Sequence, residues 1–245
     1  MSEKNTISTC LRGIITALAV STAAPALGQS WDFATQLELG AVITSGNTED
    51  ENIRFKGQFD AVREQWSYLL SMEGFRSSKQ DVLAAQRLYT VGGATYNFDP
   101  SNFVESRVAH EDDRFSGYDS QTDFSVSYGQ ELLRGREDMT WQYTIGAGMR
   151  RSVESGPTGD EFSEAIVRLS TDYRWSLSDN ARFIQTLSVD AGEETTIGRS
   201  ETAIESDIMS NLSMKLAVKV KHQTEVPLFR EKTDTEFAAT LLLRF

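Results

Sequence analysis

The sequence predicts an all-β protein, a closed antiparallel transmembrane β-barrel of about 12 strands behind an N-terminal signal peptide. Three observations lead there. Apolar and polar residues alternate with period two through almost the whole of residues 29–245, and helical periodicity is scarce. Connections between the alternating runs are by turns short, then longer and more acidic, as in outer-membrane barrels. The last run carries its alternation to the final aromatic, Phe245, where a soluble chain would usually fray.

Composition alone points elsewhere. The 245 residues carry a formal charge of -12 and the mean hydropathy is negative, which would suit a soluble acidic protein. No run of roughly 18 apolar residues occurs, so a transmembrane helix is excluded. The acidic balance argues against nucleic acid as a partner, because phosphate binding needs a basic face.

Residues 1–28 form the predicted signal peptide. Lys4 and Arg12 supply a basic start, Gly13 to Ala24 a short apolar core, and Ala26-Leu27-Gly28 a small-x-small cleavage pattern. Cleavage is expected after Gly28, with Ala26 as the alternative. It removes two basic residues and one acidic residue, so the mature charge becomes -13. Cys10, the single cysteine, follows no lipobox and leaves with the signal, so no disulfide holds the mature chain.

The strands follow in order. The first, 32–44, sets Phe33, Leu37, Leu39 and Ile43 on one face. In the second, 51–61, Ile53, Phe55 and Phe59 alternate with Arg54, Lys56 and Asp60. The third, 65–76, shows Trp66, Tyr68, Leu70 and Met72 against Ser67, Ser71 and Glu73. The fourth spans 86–98 and the fifth 102–113. The sixth, 119–131, alternates Phe124, Val126 and Tyr128 with Asp123 and Ser125. The seventh, 140–150, carries Trp141, Tyr143 and Ile145. The eighth, 162–176, sets Val167, Leu169 and Trp175 against Arg168, Asp172 and Arg174. The ninth, 181–191, has Phe183, Leu187 and Val189. The tenth and eleventh, 200–209 and 212–223, meet at Ser210-Asn211, and the twelfth is 234–245. Expected short turns are 62–64, 99–101, 176–180 and 210–211, with 132–139 somewhat longer. Expected loops are 45–50, 77–85, 114–118, 151–161, 192–199 and 224–233. Pro100, Pro157 and Pro227 all fall in connections, where no ladder donor is lost.

Alternation does not say which face meets water, since a soluble ligand-binding barrel has the same period. The polar face here is densely charged: Arg54, Lys56, Glu105, Arg107, Asp123, Arg168, Asp172, Lys215 and Lys219 share it, and it is read as facing the lumen. A turn at Ser210 places Glu201 opposite Lys219 and Glu205 opposite Lys215. On the apolar face, Phe33, Phe59, Trp66, Phe98, Tyr128, Trp141, Trp175, Phe183 and Phe245 gather beside the short turns, the expected aromatic girdle at a lipid interface. Closure follows physically, because hydrocarbon leaves no backbone group unpaired and only a closed barrel has no edge.

Leu37-Glu-Leu-Gly-Ala-Val-Ile-Thr-Ser-Gly-Asn-Thr-Glu49, Glu111-Asp112-Asp113-Arg114-Phe115, Ser210-Asn-Leu-Ser-Met-Lys-Leu216, Pro227, Thr233-Asp234-Thr235 and the closing Leu-Arg-Phe together carry a resemblance. In that order they resemble the salt-induced outer-membrane protein family, a bacterial domain of unknown function, over residues 31–245. The resemblance implies a barrel in the outer membrane of a Gram-negative bacterium. It brings no catalytic residue and no cofactor. The terminal Phe245, with Leu243 and Leu241, is similar to the signal read by the barrel-assembly machinery. Expected partners are that machinery, outer-membrane lipids and lipopolysaccharide, and both mature termini are expected in the periplasm.

His110 and His222 both point outward by parity but sit on the fifth and eleventh strands, too far apart for one site. Ser106 shares a face with His110 at about 13 Å along the strand, beyond hydrogen-bond reach. The acidic runs Glu111-Asp112-Asp113 and Thr48-Glu49-Asp50-Glu51 lack the glycine spacing of a calcium loop. No catalytic, cofactor or metal residues are expected. The function expected is an envelope-structural role or narrow passage of solutes or ions. A surface lipid-modifying enzyme and a soluble periplasmic binding barrel remain as alternatives.

Overall fold

The computed structural model describes residues 30–45, 51–79, 82–113, 117–155, 159–226 and 230–245. The signal segment 1–28 with its cleavage site, Thr48, Glu49, Asp50, Arg114, Phe115, Pro157 and Pro227 lie outside the described residues.

Twelve strands run through the described residues: β1 Asp32–Ser45, β2 Glu51–Arg63, β3 Trp66–Lys79, β4 Val82–Asn97, β5 Asn102–Asp113, β6 Tyr118–Glu131, β7 Met139–Glu154, β8 Glu161–Ser178, β9 Ala181–Gly192, β10 Thr196–Met209, β11 Leu212–Gln223 and β12 Thr233–Arg244. Each pairs antiparallel with its sequence neighbours, and β1 pairs with β12, so the sheet closes into a barrel without an edge. The seam runs in register from Gln36 opposite Arg244 to Ser45 opposite Thr235. Phe245 seals its end, exchanging backbone hydrogen bonds of 2.9 and 3.1 Å with Thr35.

Short connections close one end. β2 turns into β3 through Glu64 and Gln65, with Glu64 at φ 54°, a left-handed conformation that a two-residue hairpin requires. The sequence reading sets this turn at 62–64, but the ladder runs on, with Val62 paired to Ser67 and Arg63 to Trp66, and the turn falls at Glu64-Gln65. After β4, the Asp99 carboxylate accepts from the backbone N–H groups of Ser101 (2.7 Å) and Asn102 (3.0 Å). Those donors, Ser101 foremost, hold the Asp99 carboxyl below its usual range. In the β6–β7 connection Arg136 grips Asp138 through two bonds of 3.0 and 3.1 Å.

The opposite end differs from the sequence reading. Residues 77–85 were expected as a loop, yet Ser77 pairs with Ala85, Ser78 with Leu83 and Lys79 with Val82, so β3 and β4 extend well beyond it with one register shift. β7 likewise continues to Glu154. A ladder asks only for paired backbone groups, so polar side chains that break the alternation do not end it.

Along every strand one parity points out and the other in. Outward stand Leu39, Phe55, Leu70, Phe124, Ile145, Leu169, Ile204, Leu216 and Leu241, all exposed. Phe33 (59 % exposed), Phe59, Trp66, Phe98, Tyr128, Trp141, Trp175 and Phe245 (70 %) are also exposed on this face, toward the short-turn end, and Phe183 packs edge-on against Tyr173 there. Neighbouring rings touch: Phe33 stacks on Phe59 at 5.7 Å, and Tyr96 joins Trp66 (5.0 Å) to Phe98 (5.4 Å). Inverted relative to a soluble protein, the buried interior is mostly polar, with Arg54, Arg107, Asp123, Arg150, Asp190 and Glu236 among its buried residues.

Candidate functional site: the charged lumen

The inward parity assembles into rungs that run around the wall. Glu38, Lys56, Glu73, Tyr89, Glu111 and Gln121 form one, strand to strand from β1 to β6. Asp172, Thr186, Glu201, Lys219 and Glu236 form another, from β8 to β12. Acids and bases alternate over Glu38-Lys56-Glu73 and over Glu201-Lys219-Glu236, so these charges have neighbours of opposite sign within side-chain reach.

Near the short-turn end, Asp207 takes Arg182, Arg244 (3.4 Å) and the Ser213 hydroxyl (2.6 Å), while Glu205 takes Arg182 (3.4 Å) and Arg244. The register does set Glu205 opposite Lys215 and Glu201 opposite Lys219. The ion pairs follow only half of that ladder. Glu201 binds both Lys219 (3.1 Å) and Lys215 (2.7 Å), and Lys215 also reaches Glu38 at 3.3 Å. Glu205 turns instead to Arg182, which opposes it from β9.

Higher in the barrel the pairs leave the wall and cross the lumen. Lys219 on β11 reaches Glu73 on β3 at 2.8 Å, and Arg87 on β4 pairs with Glu236 on β12. Arg54 contacts both of those acids. Glu111 on β5 receives Lys221 from β11 at 2.7 Å and Arg199 from β10 at 3.0 Å. Arg199 also holds Asp190 (3.2 Å), which Arg168 holds at 2.6 Å. Beside this, wholly buried Arg150 (0 % exposed) binds Asp123 (2.9 Å), Glu164 (3.3 Å) and the Thr195 carbonyl (3.1 Å). Glu164 in turn accepts from the backbone of Glu194 at 2.8 Å, so the short β9–β10 connection is drawn into the mouth.

Beneath the crossing pairs remains a cavity of about 360 Å³, whose lining includes Lys56, Glu73, Tyr89, Glu105, Arg107, Arg168, Asp172 and Glu201. The lumen-facing residues named from sequence all lie on the inner parity, Asp123 paired with Arg150 and Asp172 bonded by Arg174 and Thr186 at 3.0 Å each.

The acidic run Glu111-Asp112-Asp113 lies within β5 and does not act as one cluster. Parity splits it: Glu111 and Asp113 are buried inward and Asp112 faces out. Glu111 shares its parity with Glu105 and Arg107, the signal that would have found it. Tyr89, Arg150, Asp190, Arg199, Lys221 and Glu236 were not singled out from sequence either, because their partners lie on distant strands. Among the described residues no cluster of metal-binding side chains occurs. His110 and His222 stay apart on the outer face, each bonded at 2.8 Å to a cross-strand threonine, Thr122 and Thr233.

A closed barrel with an apolar exterior and a polar, charged interior is the architecture of a transmembrane β-barrel. The solved structures agree at the level of fold. The NanC porin superposes with a TM-score of 0.58 at 8 % identity, covering 84 % of this chain and 98 % of that one. The KdgM porin, solved in complex with disordered oligogalacturonate, gives 0.51 at 11 % identity, covering 86 % and 99 %. An outer-membrane channel from Pseudomonas putida F1 gives 0.50 at 9 %, covering 92 % and 99 %. The chain belongs to the family described as protein of unknown function, DUF481, whose model matches residues 37–245. It is similar to uncharacterized protein YdiY of Escherichia coli (strain K12), with 24 % identity over 195 residues, 80 % of this chain and 76 % of that protein.

Proposed function

We propose that this protein is an integral outer-membrane barrel that passes small solutes or ions through a lumen held narrow by ion pairs. One observation carries the reading: polar side chains line a cavity of about 360 Å³ that is capped by the Glu111–Lys221 crossing. A purely structural barrel has no need of an aqueous chamber; a narrow conduit does. Planar-bilayer recording on the refolded protein tests it. Small, infrequent channel events are the expected result, and a silent bilayer over the full voltage range rejects it.

The second reading is an envelope-structural barrel, favoured by the density of ion pairs that fill the upper lumen. In either reading the short-turn end and both termini face the periplasm, and the acidic loop end meets lipopolysaccharide. Phe245, Leu243 and Leu241 act in recognition by the assembly machinery as well as in the lipid face. Replacing Phe245 by Ala is then expected to slow assembly in vivo, read as accumulation of protein that lacks heat-modifiable gel migration, and normal assembly of that variant removes the recognition role.

A further inference from the structure

Arg107 departs from the pattern of the lumen. The cavity's other guanidinium groups, Arg87, Arg168 and Arg199, each hold a carboxylate within ion-pair distance. Arg107 is 8 % exposed and has none among the described residues. Its Nη2 donates to the Tyr89 hydroxyl at 2.5 Å, and its Nη1 is buried without a partner. Directly across the ladder on β6, the Ser125 hydroxyl is buried without a partner as well.

On the β4 side the wall beside this pair is bare, while on the β7 side it is tight, where a Cβ at Gly148 would run into the Phe124 carbonyl oxygen. Gly93 flanks Arg107 on β4, and Gly148 flanks Ser125 on β7. A Cβ at Gly93 would find nothing nearer than 3.8 Å, so the recess has space beside the guanidinium. Two residues toward the short turns, on the same inward parity, Glu105 also lines the cavity and also lacks an ion-pair partner among the described residues. Lys56, the remaining lining cation without one, stands three strands away on β2.

A buried guanidinium that touches no carboxylate leaves part of its desolvation cost uncompensated. We propose that Arg107 and Glu105 form a subsite for a small zwitterionic solute of the α-amino-acid or betaine type. Its carboxylate sits on Arg107 and Ser125, and its cationic nitrogen on Glu105. The two α-carbons are about 7 Å apart along the strand, which leaves both side chains free to close on one small molecule. A simple anion would meet Glu105 and a simple cation would meet Arg107; only a solute bearing both charges satisfies the two at once. Such a solute also enters a wall of mixed sign without a net electrostatic penalty. The inference supplies the solute class for the passage reading and rests on it for the route in.

Saturation-transfer NMR on the refolded protein in non-ionic micelles tests it, with alanine and glycine betaine as zwitterions and acetate and ethylammonium as single-charge probes. Alanine and betaine are expected to bind saturably, roughly tenfold or more tightly than either single-charge probe. Arg107→Gln and Glu105→Gln are each expected to weaken them by about the same factor. Arg136→Gln, in the exposed β6–β7 connection, leaves binding unchanged. Folding of each variant is checked by heat-modifiable migration. Should Arg107→Gln not fold, Ser125→Ala, which breaks no bond within the protein, must weaken alanine severalfold. Acetate binding as tightly as alanine, or alanine binding that survives Arg107→Gln or, in its place, Ser125→Ala, overturns the proposal. Binding in micelles needs no conduction, so a silent bilayer and an empty subsite are separate failures.

Discussion

Lys221 Nζ stands 2.7 Å from Glu111 Oε1, although five strands separate β11 from β5 on either side of the ring. The two walls therefore approach to the reach of two side chains, and this pair with Arg199 bars the lumen at its level. Glu111→Gln removes the charge that attracts both cations and keeps the side chain's volume. The expected outcome is a larger or more frequent unitary conductance than wild type in planar bilayers. Unchanged traces would place the constriction elsewhere.

Arg150 is the other centre of the upper lumen. Its replacement by Met leaves Asp123 and Glu164 buried without their cation. Removing one partner of a buried pair costs about 3–5 kcal/mol. Urea unfolding of the barrel in lipid vesicles should show a loss of that order, while Arg150→Lys should lose less because the charge stays.

The lipid face is tested at Ile145, 50 % exposed near the middle of β7. Ile145→Arg would place a guanidinium in hydrocarbon, at a cost of about 2–4 kcal/mol at the midplane. Reversible unfolding in vesicles measures it. If the same substitution is neutral there, water and not lipid wets this face.

At the β4–β5 turn the effect of acid is delayed. Hydrogen bonds from Ser101 and Asn102 favour the Asp99 carboxylate over its protonated form, which lowers its pKa in the folded state. The stabilisation is fully present above the ordinary carboxylate pKa and is lost as pH falls through the depressed one. A carboxyl-carbon NMR titration should find Asp99 ionised where an ordinary aspartate is already half protonated, and Asn102 amide protection falling only below that point.

Strand number, parity and the direction of the apolar face were legible because they depend on local alternation. Leu39, Phe124 and Ile204 declare their face within a few residues of chain. The Glu201–Lys219 and Glu205–Lys215 registers agree with a turn centred on Ser210, but by a different route: the turn pairs Met209 with Leu212, and the irregularity between Asp207 and Met209 shifts the ladder by one. The ion pairs were not legible. Glu205 chooses Arg182 over Lys215, and Glu111 finds Lys221 and Arg199, by distances across the lumen that no neighbouring residue encodes. The loop-end boundaries failed for the opposite reason: Ser77, Ser78 and Lys79 look like loop, but their backbone pairing continues the sheet.

The seam between β1 and β12 joins the first strand of the ring to the twelfth. Until the final strand arrives, an eleven-membered sheet keeps two open margins of unsatisfied amides, which a bilayer interior does not tolerate. Closure is thus tied to residence in the bilayer, and a chain lacking β12 would leave the margins of β1 and β11 unpaired. Cells would meet such fragments as protease substrates in the periplasm.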